Sequence, residues 1–464
     1  MFSAQTYTQR RDQLKKDVEK GLILILGNNE VGMNYAANTF RYRQDSNFLY
    51  FFGIDQAGLA AVIDLDNDTT TIYGDELTID DIIWVGPHPT LQELVAKVGV
   101  ENVKPSADLQ TLLKGAAQSG KPVHYLPPYR NDNKIFLHQC LGIAFEDLKS
   151  KASEELIRAV IKQRSYKSDE EIQQMEMAVN VSGSMHVAAM ISAAAGKTEA
   201  QLTGIVQGIA IGAGGDIAYP IILSKDGQTL HNHFHGNVLQ EGQLVLGDFG
   251  AETAMHYAGD LTRTFPVAKK FNQQQKEIYQ IVLDAQVQCI ESLKPGISYQ
   301  QVHLNAAKIM AEGLKNLGIM KGDIDQAVAN GAHALFFPHG LGHMIGLDVH
   351  DMEDLGENLV GYNESVKRSD QFGTAYLRLG RELEPGFVLT VEPGIYFIPE
   401  LIDLWKSENK HSEFINYAAL DNYRSFGGVR IEDNILITEN GHRILGNPVP
   451  KTIEEVEKVR EYQG

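Results

Sequence analysis

Four acidic residues stand where apolar strands would not ordinarily place them. In "EGQLVLGD" (241–248) and "PGFVLTVE" (385–392) a turn glycine leads into an apolar, partly β-branched run that ends on a carboxylate, Asp248 in one and Glu392 in the other. The segments align as Gly242 with Gly386, Leu244 with Val388, Val245 with Leu389 and Asp248 with Glu392. Each is followed by a second strand-like stretch with another acid, Asp260 in "GDLTRTFPV" and Glu432 in "GVRIEDNILIT". A lone acid in such a place reads as a salt bridge or a strand-end turn. Four of them, related by an internal repeat, would meet at one point if the two halves pack about a pseudo-twofold axis. Like charges in a low-dielectric pocket raise one another's pKa, so such a set must be protonated, paired or bound to cations. Two divalent ions supply four positive charges against four carboxylates, so the charge count favours a dinuclear site.

Histidines extend the pattern. "FFPHGLGHMIGLDVHD" (336–351) holds His339, His343 and His350 with Gly340, Gly342 and Gly346 between them. On a helix His339 and His343 would share a face, as in a zinc motif, but so much glycine makes a regular helix poor. A loop and strand in which glycine lets the backbone approach a ligand closely is the expected form. The "HNHFHGN" run (231–237) precedes the first acidic strand; His231 is its functional candidate ahead of His233 and His235, and an ordinary polar turn is the alternative.

These residues need a frame. At 464 residues the chain exceeds one ordinary core, which predicts two domains. The division is expected near residue 155, giving 1–155 and 156–464. In the first part, strand-like "GLILILG" (21–27) and "AGLAAVIDLD" (57–66) alternate with helical stretches such as "TLQELVAKVG" (90–99), which predicts a small α/β domain. The second part opens with capping boxes, Ser168 with Glu171 and Thr198 with Gln201, each leading an apolar helical face, and Gly196 stands where the first helix could end. No Gly/Ser linker separates the two parts.

Composition narrows the partners. With 41 basic and 60 acidic side chains the net charge is −19, which repels nucleic acid and anionic lipid. Cys140 and Cys289 are far apart and read as buried structural thiols. The N-terminus lacks the apolar core of a signal peptide and no apolar stretch is long enough to span a bilayer, so a cytoplasmic protein is expected.

The ordered motifs "LVLGDFGAE", "GDLTRTFPV", "HGLGHMIGLDVHD", "VLTVEPGIYF" and "GGVRIEDNILIT" resemble those of the aminopeptidase P and prolidase family of proline-specific peptidases. "FRYRQDSNFLYFFGID" resembles that family's non-catalytic N-terminal domain. The resemblance implies a C-terminal pita-bread catalytic domain with a pseudo-twofold repeat after a smaller α/β domain. It implies metal ligands at Asp248, Asp260, His343, Glu392 and Glu432, with Asp260 and Glu432 bridging two divalent ions. The choice of His343 over His339 rests on the family. Asp248 and Asp260 lie one residue further apart than the family's pattern, which is expected to be absorbed in a longer hairpin at "AETAMHYAG"; otherwise one carboxylate would change face.

Oxygen-rich ligation makes manganese the first expectation, with cobalt, zinc or iron admitted by the imidazole. The implied chemistry is attack on the carbonyl before proline by a hydroxide shared between the ions, with Glu392 as ligand and proton shuttle. His350 would support the oxyanion, and His231 would place the scissile carbonyl. His339 and Arg430 are further substrate-side candidates, and Tyr396 reads equally as a substrate contact or core. Arg378, upstream of "TVEPG", resembles a clamp for the free carboxylate of an Xaa-Pro dipeptide; the alternative is pairing with Glu382 or Glu384. That arginine and the long segment between Glu392 and Glu432 favour prolidase over aminopeptidase P, which takes longer peptides. A pita-bread binding module or a metal-free amidino hydrolase would lack some of the five ligands, and a dinuclear phosphoesterase is disfavoured by the charge. The family expectation for assembly is a homodimer.

Overall fold

A computed structural model describes residues 1–462. The chain forms two compact units, one of residues 1–164 with 354–356 and one of residues 165–353 with 357 onward.

The first unit is built on a five-stranded sheet of β1 (Leu22–Leu26), β2 (Ala60–Asp64), β3 (Thr69–Tyr73), β4 (Asn102–Lys104) and β5 (Val123–Tyr125), in the order β4-β3-β2-β1-β5. The antiparallel pairs β1–β2 and β2–β3 are flanked by parallel edges, β3–β4 and β1–β5. Leu22, Leu24 and Val62 alternate onto one face and pack with Leu109, Leu113, Leu137 and Cys140 from two helices. Ile23 and Ile63 are equally buried on the other face, which explains why β1 reads as an unbroken apolar run rather than an alternating one. The stretch around 90–99 forms a helix, Leu91–Ala96, opened by the Thr90–Glu93 capping box.

The second unit repeats one plan. Helices Asp169–Ser192 and Glu199–Gly212 precede the strands of the first half, and helices Gln273–Ser292 and Tyr299–Asn316 precede those of the second. Both expected capping boxes form, although the first helix stops at Ser192, short of Gly196. The first half holds β6 (Asp216–Ile217), β7 (Ile222–Ser224), β8 (Leu244–Asp248), β9 (Ala251–Glu252) and β10 (Thr262–Pro266), with a sheet β10-β8-β7 and a ribbon β6-β9. The second holds β11 (Val388–Val391), β12 (Gly394–Tyr396), β13 (Gly428–Arg430), β14 (Asp433–Thr438) and β15 (Gly441–Ile444), with a sheet β11-β14-β15 and a ribbon β12-β13. The glycines that open β8 and β11 adopt matching left-handed turns, Gly242 at φ 88° and Gly386 at φ 91°, so the repeat is conformational as well as textual.

The halves join where the acids lie. Thr262, at the start of β10, bridges to Glu432, and Thr264 exchanges hydrogen bonds with the backbone of Arg430. Arg263 is fully buried behind this seam, donating to the Glu432 carbonyl at 2.6 Å and to Asp433 at 2.7 Å. Cys140 and Cys289 are free buried thiols.

Candidate metal centre

Each acid is delivered by the end or interruption of a strand. Asp248 closes β8, opposite Thr262 of β10. Asp260 lies just ahead of β10, and its backbone N–H and C=O are both taken by the Asn434 side chain, at 3.0 and 2.5 Å. In the second half the paired strands break at the same level: Glu392 and Pro393 separate β11 from β12, while Ile431 and Glu432 separate β13 from β14. Asp260 and Glu432 therefore stand beside strands, where the sequence had suggested positions within them. A break frees these backbones from the pleat and lets carboxylates on both segments turn to one side. The hairpin between Asp248 and Asp260 is irregular at its tip, where His256 is left-handed (φ 66°) and Thr253 N–H reaches the Tyr257 carbonyl. Register survives, since the Tyr219 hydroxyl donates to Oδ1 of Asp248, at 2.6 Å, and also contacts Oδ1 of Asp260.

The glycine-rich segment runs as an irregular loop against β11. The backbones of His343 and Thr390 are joined, and the His343 N–H donates to Thr390 Oγ1 at 3.1 Å. A Cβ on Gly342 would lie 2.1 Å from the Thr390 carbonyl oxygen, so only glycine permits this approach. His343 Nδ1 faces the Met344 carbonyl at 3.0 Å, which assigns the proton to Nδ1 and leaves Nε2 as a ligand atom. Nε2 lies 3.5 Å from Asp260 and 3.6 Å from Glu392. His339 is differently engaged: Nδ1 faces the Gly340 carbonyl at 2.7 Å and Nε2 accepts from the Tyr396 hydroxyl at 2.8 Å. This geometry separates the two histidines as sequence spacing could not.

Asp260, His343 and Glu432 bring ligand atoms that all lie within 4.8 Å of one another. Asp248 and Glu392 line the same cavity, of about 510 Å³. The protein's own cations only partly offset these acids. Arg430 contacts Asp248 and donates to Tyr396 at 2.7 Å. Burial, opposed by Arg430, raises the pKa of Asp248. Burial also pushes Glu392 up to about 7, against the pull of His343 and Arg430. Burial and the neighbouring charges of Asp260, Glu392 and Asp248 raise Glu432 well above the carboxylate range. Asp260 is lowered instead, because hydrogen bonding and charge from His343 outweigh its burial. Glu432 accepts from Thr262 through Oε2 at 2.6 Å, while its buried Oε1 has no hydrogen-bond partner among the described residues. A buried carboxylate oxygen left unpaired costs free energy that a cation would recover. The donor set, mostly hard oxygen with one imidazole, fits divalent ions.

His231, His339, His350, Arg378 and Arg430 all line this cavity, as does His233. His235 instead bonds the Ile221 carbonyl at 3.1 Å. His350 bonds Glu353 through Nδ1 at 2.6 Å, which turns the opposite ring nitrogen away from that pair. Arg378 pairs with Glu353 at 3.3 Å and Glu357 at 3.6 Å, not with Glu382 or Glu384. Those two acids are spent on Asn363 and Ser365 and on Arg381 and Tyr166. Tyr396 is fully buried and links His339 to Arg430, so it belongs both to the core and to the cavity wall. Tyr219, Thr262 and Asn434 were not picked out from the sequence. Thr262 could have been, since it follows Asp260 by two residues; Tyr219 stands in "GDIAYP", which carries no comparable spacing signal.

Comparison with known proteins places this geometry. Residues 173–439 match the model of metallopeptidase family M24, and residues 7–124 match the aminopeptidase P N-terminal domain. The human Xaa-Pro dipeptidase is 31% identical over 459 residues, covering 96% of this chain and 90% of that protein. A "Probable Xaa-Pro aminopeptidase" of Leptosphaeria maculans is 34% identical over 419 residues, covering 89% of this chain and 71% of that protein. Among solved structures, zinc-substituted Escherichia coli aminopeptidase P in complex with product superposes with a TM-score of 0.81 at 30% identity, covering 99% of this chain and 98% of that one. The family resemblance and the pita-bread architecture expected from the motifs are both borne out.

Proposed function

The chain belongs to metallopeptidase family M24, and on that premise we propose that it hydrolyses the Xaa-Pro peptide bond at a free N-terminus, with Xaa-Pro dipeptides as preferred substrates. The observation that carries the reading is the unpartnered Oε1 of buried Glu432 amid Asp248, Asp260, His343 and Glu392. These five would hold two divalent ions, manganese first, with cobalt, zinc or iron as substitutes. Such ions would lower the pKa of water to yield a nucleophile at neutral pH and would polarise the scissile carbonyl. The protein's own groups do the rest.

Glu392 lies beside His343 at the cavity wall and receives the proton of the attacking water, then passes it to the departing proline nitrogen. His350, whose Nδ1 is held by the ionised Glu353, keeps its other ring nitrogen for the cavity and donates from it to the developing oxyanion when the ring carries its second proton. His231 places the carbonyl from the opposite loop. Arg430 stays locked to Asp248 and Tyr396 and so holds the wall rather than the substrate. His339, with both ring nitrogens engaged, offers substrate the edge and face of its ring. Proline lacks an N–H and fixes φ, so a pocket that reads ring shape rather than a backbone donor suits it.

Arg378 decides substrate length. It reaches the cavity and retains guanidinium donors beyond the Nε that faces Glu353, which suits a dipeptide carboxylate. The second reading, aminopeptidase P, is favoured by the two acids that already compensate Arg378. Manganese-loaded enzyme should cleave an Xaa-Pro dipeptide in preference to an Xaa-Pro-Xaa tripeptide. Arg378→Ala should cut dipeptide kcat/KM by about 10–100-fold, the worth of a charge-assisted hydrogen bond of roughly 1.5–3 kcal/mol, and leave the tripeptide nearly untouched. Tripeptide preference in the unaltered enzyme would establish the second reading. A cytoplasmic homodimer is the assembly and setting we propose for it.

A further inference from the structure

We propose that Glu199 is a positioning residue that clamps the loop carrying His231, and so sets the substrate side of the cavity from outside it. The inference rests on the proposed role of His231. Glu199 is the first residue of the helix Glu199–Gly212 and has no exposed surface. Its carboxylate is satisfied by neutral donors drawn from the two ends of one loop. At the outgoing end, Oε1 accepts from Ser224 Oγ at 3.0 Å and from the Lys225 N–H at 2.8 Å. At the returning end, Oε2 accepts from the Asn237 N–H at 3.3 Å, and the Asn237 amide reaches both oxygens, at 3.2 and 3.1 Å. The Glu199 N–H donates back to the Asn237 carbonyl at 3.0 Å.

Between these ends lie Leu230, His231 and His233, all on the cavity wall. Apolar packing does little to fix that stretch, since Phe234 is 63% exposed. Its order depends on the polar hub, to which Asn232 adds a bond to Ser224 Oγ at 3.0 Å and Asn237 a bond to Asp226 at 3.3 Å. Lys225, whose backbone N–H bonds Glu199, turns its Nζ to Asp226 at 2.7 Å. A carboxylate suits this place because it presents two acceptor oxygens and no donor. Glutamine has the same shape but would aim an N–H₂ at a converging N–H, leaving one loop end unpaired.

The test uses the full chain loaded with manganese. Glu199→Gln and Asn237→Ala, the latter a partly exposed site that keeps the test alive if the buried change impairs folding, are compared with His231→Ala and with the Glu199→Gln/His231→Ala pair. Hydrogen exchange over 225–237 should rise by at least about tenfold in both loop variants. Their kcat/KM on an Xaa-Pro dipeptide should fall about tenfold at unchanged metal content, as expected when a contact group is misplaced rather than removed. The paired variant should be no slower than His231→Ala alone, because the clamp acts through that residue. An additive loss in the pair, or an unmoved loop in Glu199→Gln, would overturn the clamp. Unaltered kinetics in His231→Ala would instead locate the fault in the role given to His231.

Discussion

At the residue scale the cavity is a problem of charge. Four carboxylates crowd one cavity where only Arg430 and His343 contact them directly as possible cations, and the consequences are visible in Glu392 near neutrality and in Glu432 with an idle oxygen among the described residues. Tyr219 mitigates this by hydrogen-bonding to both Asp248 and Asp260 through one hydroxyl. Its replacement by phenylalanine keeps the ring and removes a hydroxyl that joins those two acids. Outer partners of metal ligands typically account for about 10–100-fold in metal affinity. Tyr219→Phe should accordingly weaken manganese binding by about that factor, read by titration calorimetry, with circular dichroism unchanged; binding as tight as in the parent would contradict the role. The acids themselves were legible, Asp248 and Glu392 from their places at the ends of apolar runs and Asp260 and Glu432 from their β-branched surroundings. Tyr219 was not, because the contact joins segments that no periodicity relates.

At the element scale the site depends on backbone that is not regular. Strands β11 and β14 stop opposite one another, and the loop through His343 lies against β11 with glycine at the point of closest approach. The sequence anticipated this loop from its glycine content, and the structure supplies the reason: at Gly342 an added Cβ would also sit 2.7 Å from the Tyr299 hydroxyl. Neither neighbour can retreat, since Tyr299 Oη donates to the Thr390 carbonyl at 2.5 Å. Gly342→Ala should cost about 1–3 kcal/mol through overpacking and reduce hydrolysis by at least about 100-fold, because His343 moves with the loop. Thermal denaturation and kcat on an Xaa-Pro dipeptide would measure both effects; wild-type activity with intact stability would refute the close-packed account. The boundaries of the elements were less legible than their existence. Asp260 and Glu432 read as strand residues because their β-branched neighbours dominate the local pattern, whereas pairing across the seam takes the chain out of the pleat there.

At the scale of the catalytic unit, duplication does the assembling. Each half delivers acids from the same place in its plan, and the seam from Thr262 to Glu432 brings the two sets together with Arg263 buried behind it. The repeat was readable from the aligned turn glycines, but convergence was not, since no sequence shows which edges pair. Substrate length was the least legible feature: Arg378 was identified, but its partners proved to be Glu353 and Glu357, reached through a loop fold that local spacing does not encode. The role proposed for this cluster is to hold metal for cleavage before proline. Its most direct test is hydrolysis of an Xaa-Pro dipeptide and its Xaa-Ala counterpart by protein stripped with chelator and then reloaded with manganese. No cleavage after stripping, recovery on reloading and action on the proline substrate alone are expected; cleavage that survives the chelator, or equal cleavage of both dipeptides, would contradict a metal-dependent, proline-specific site.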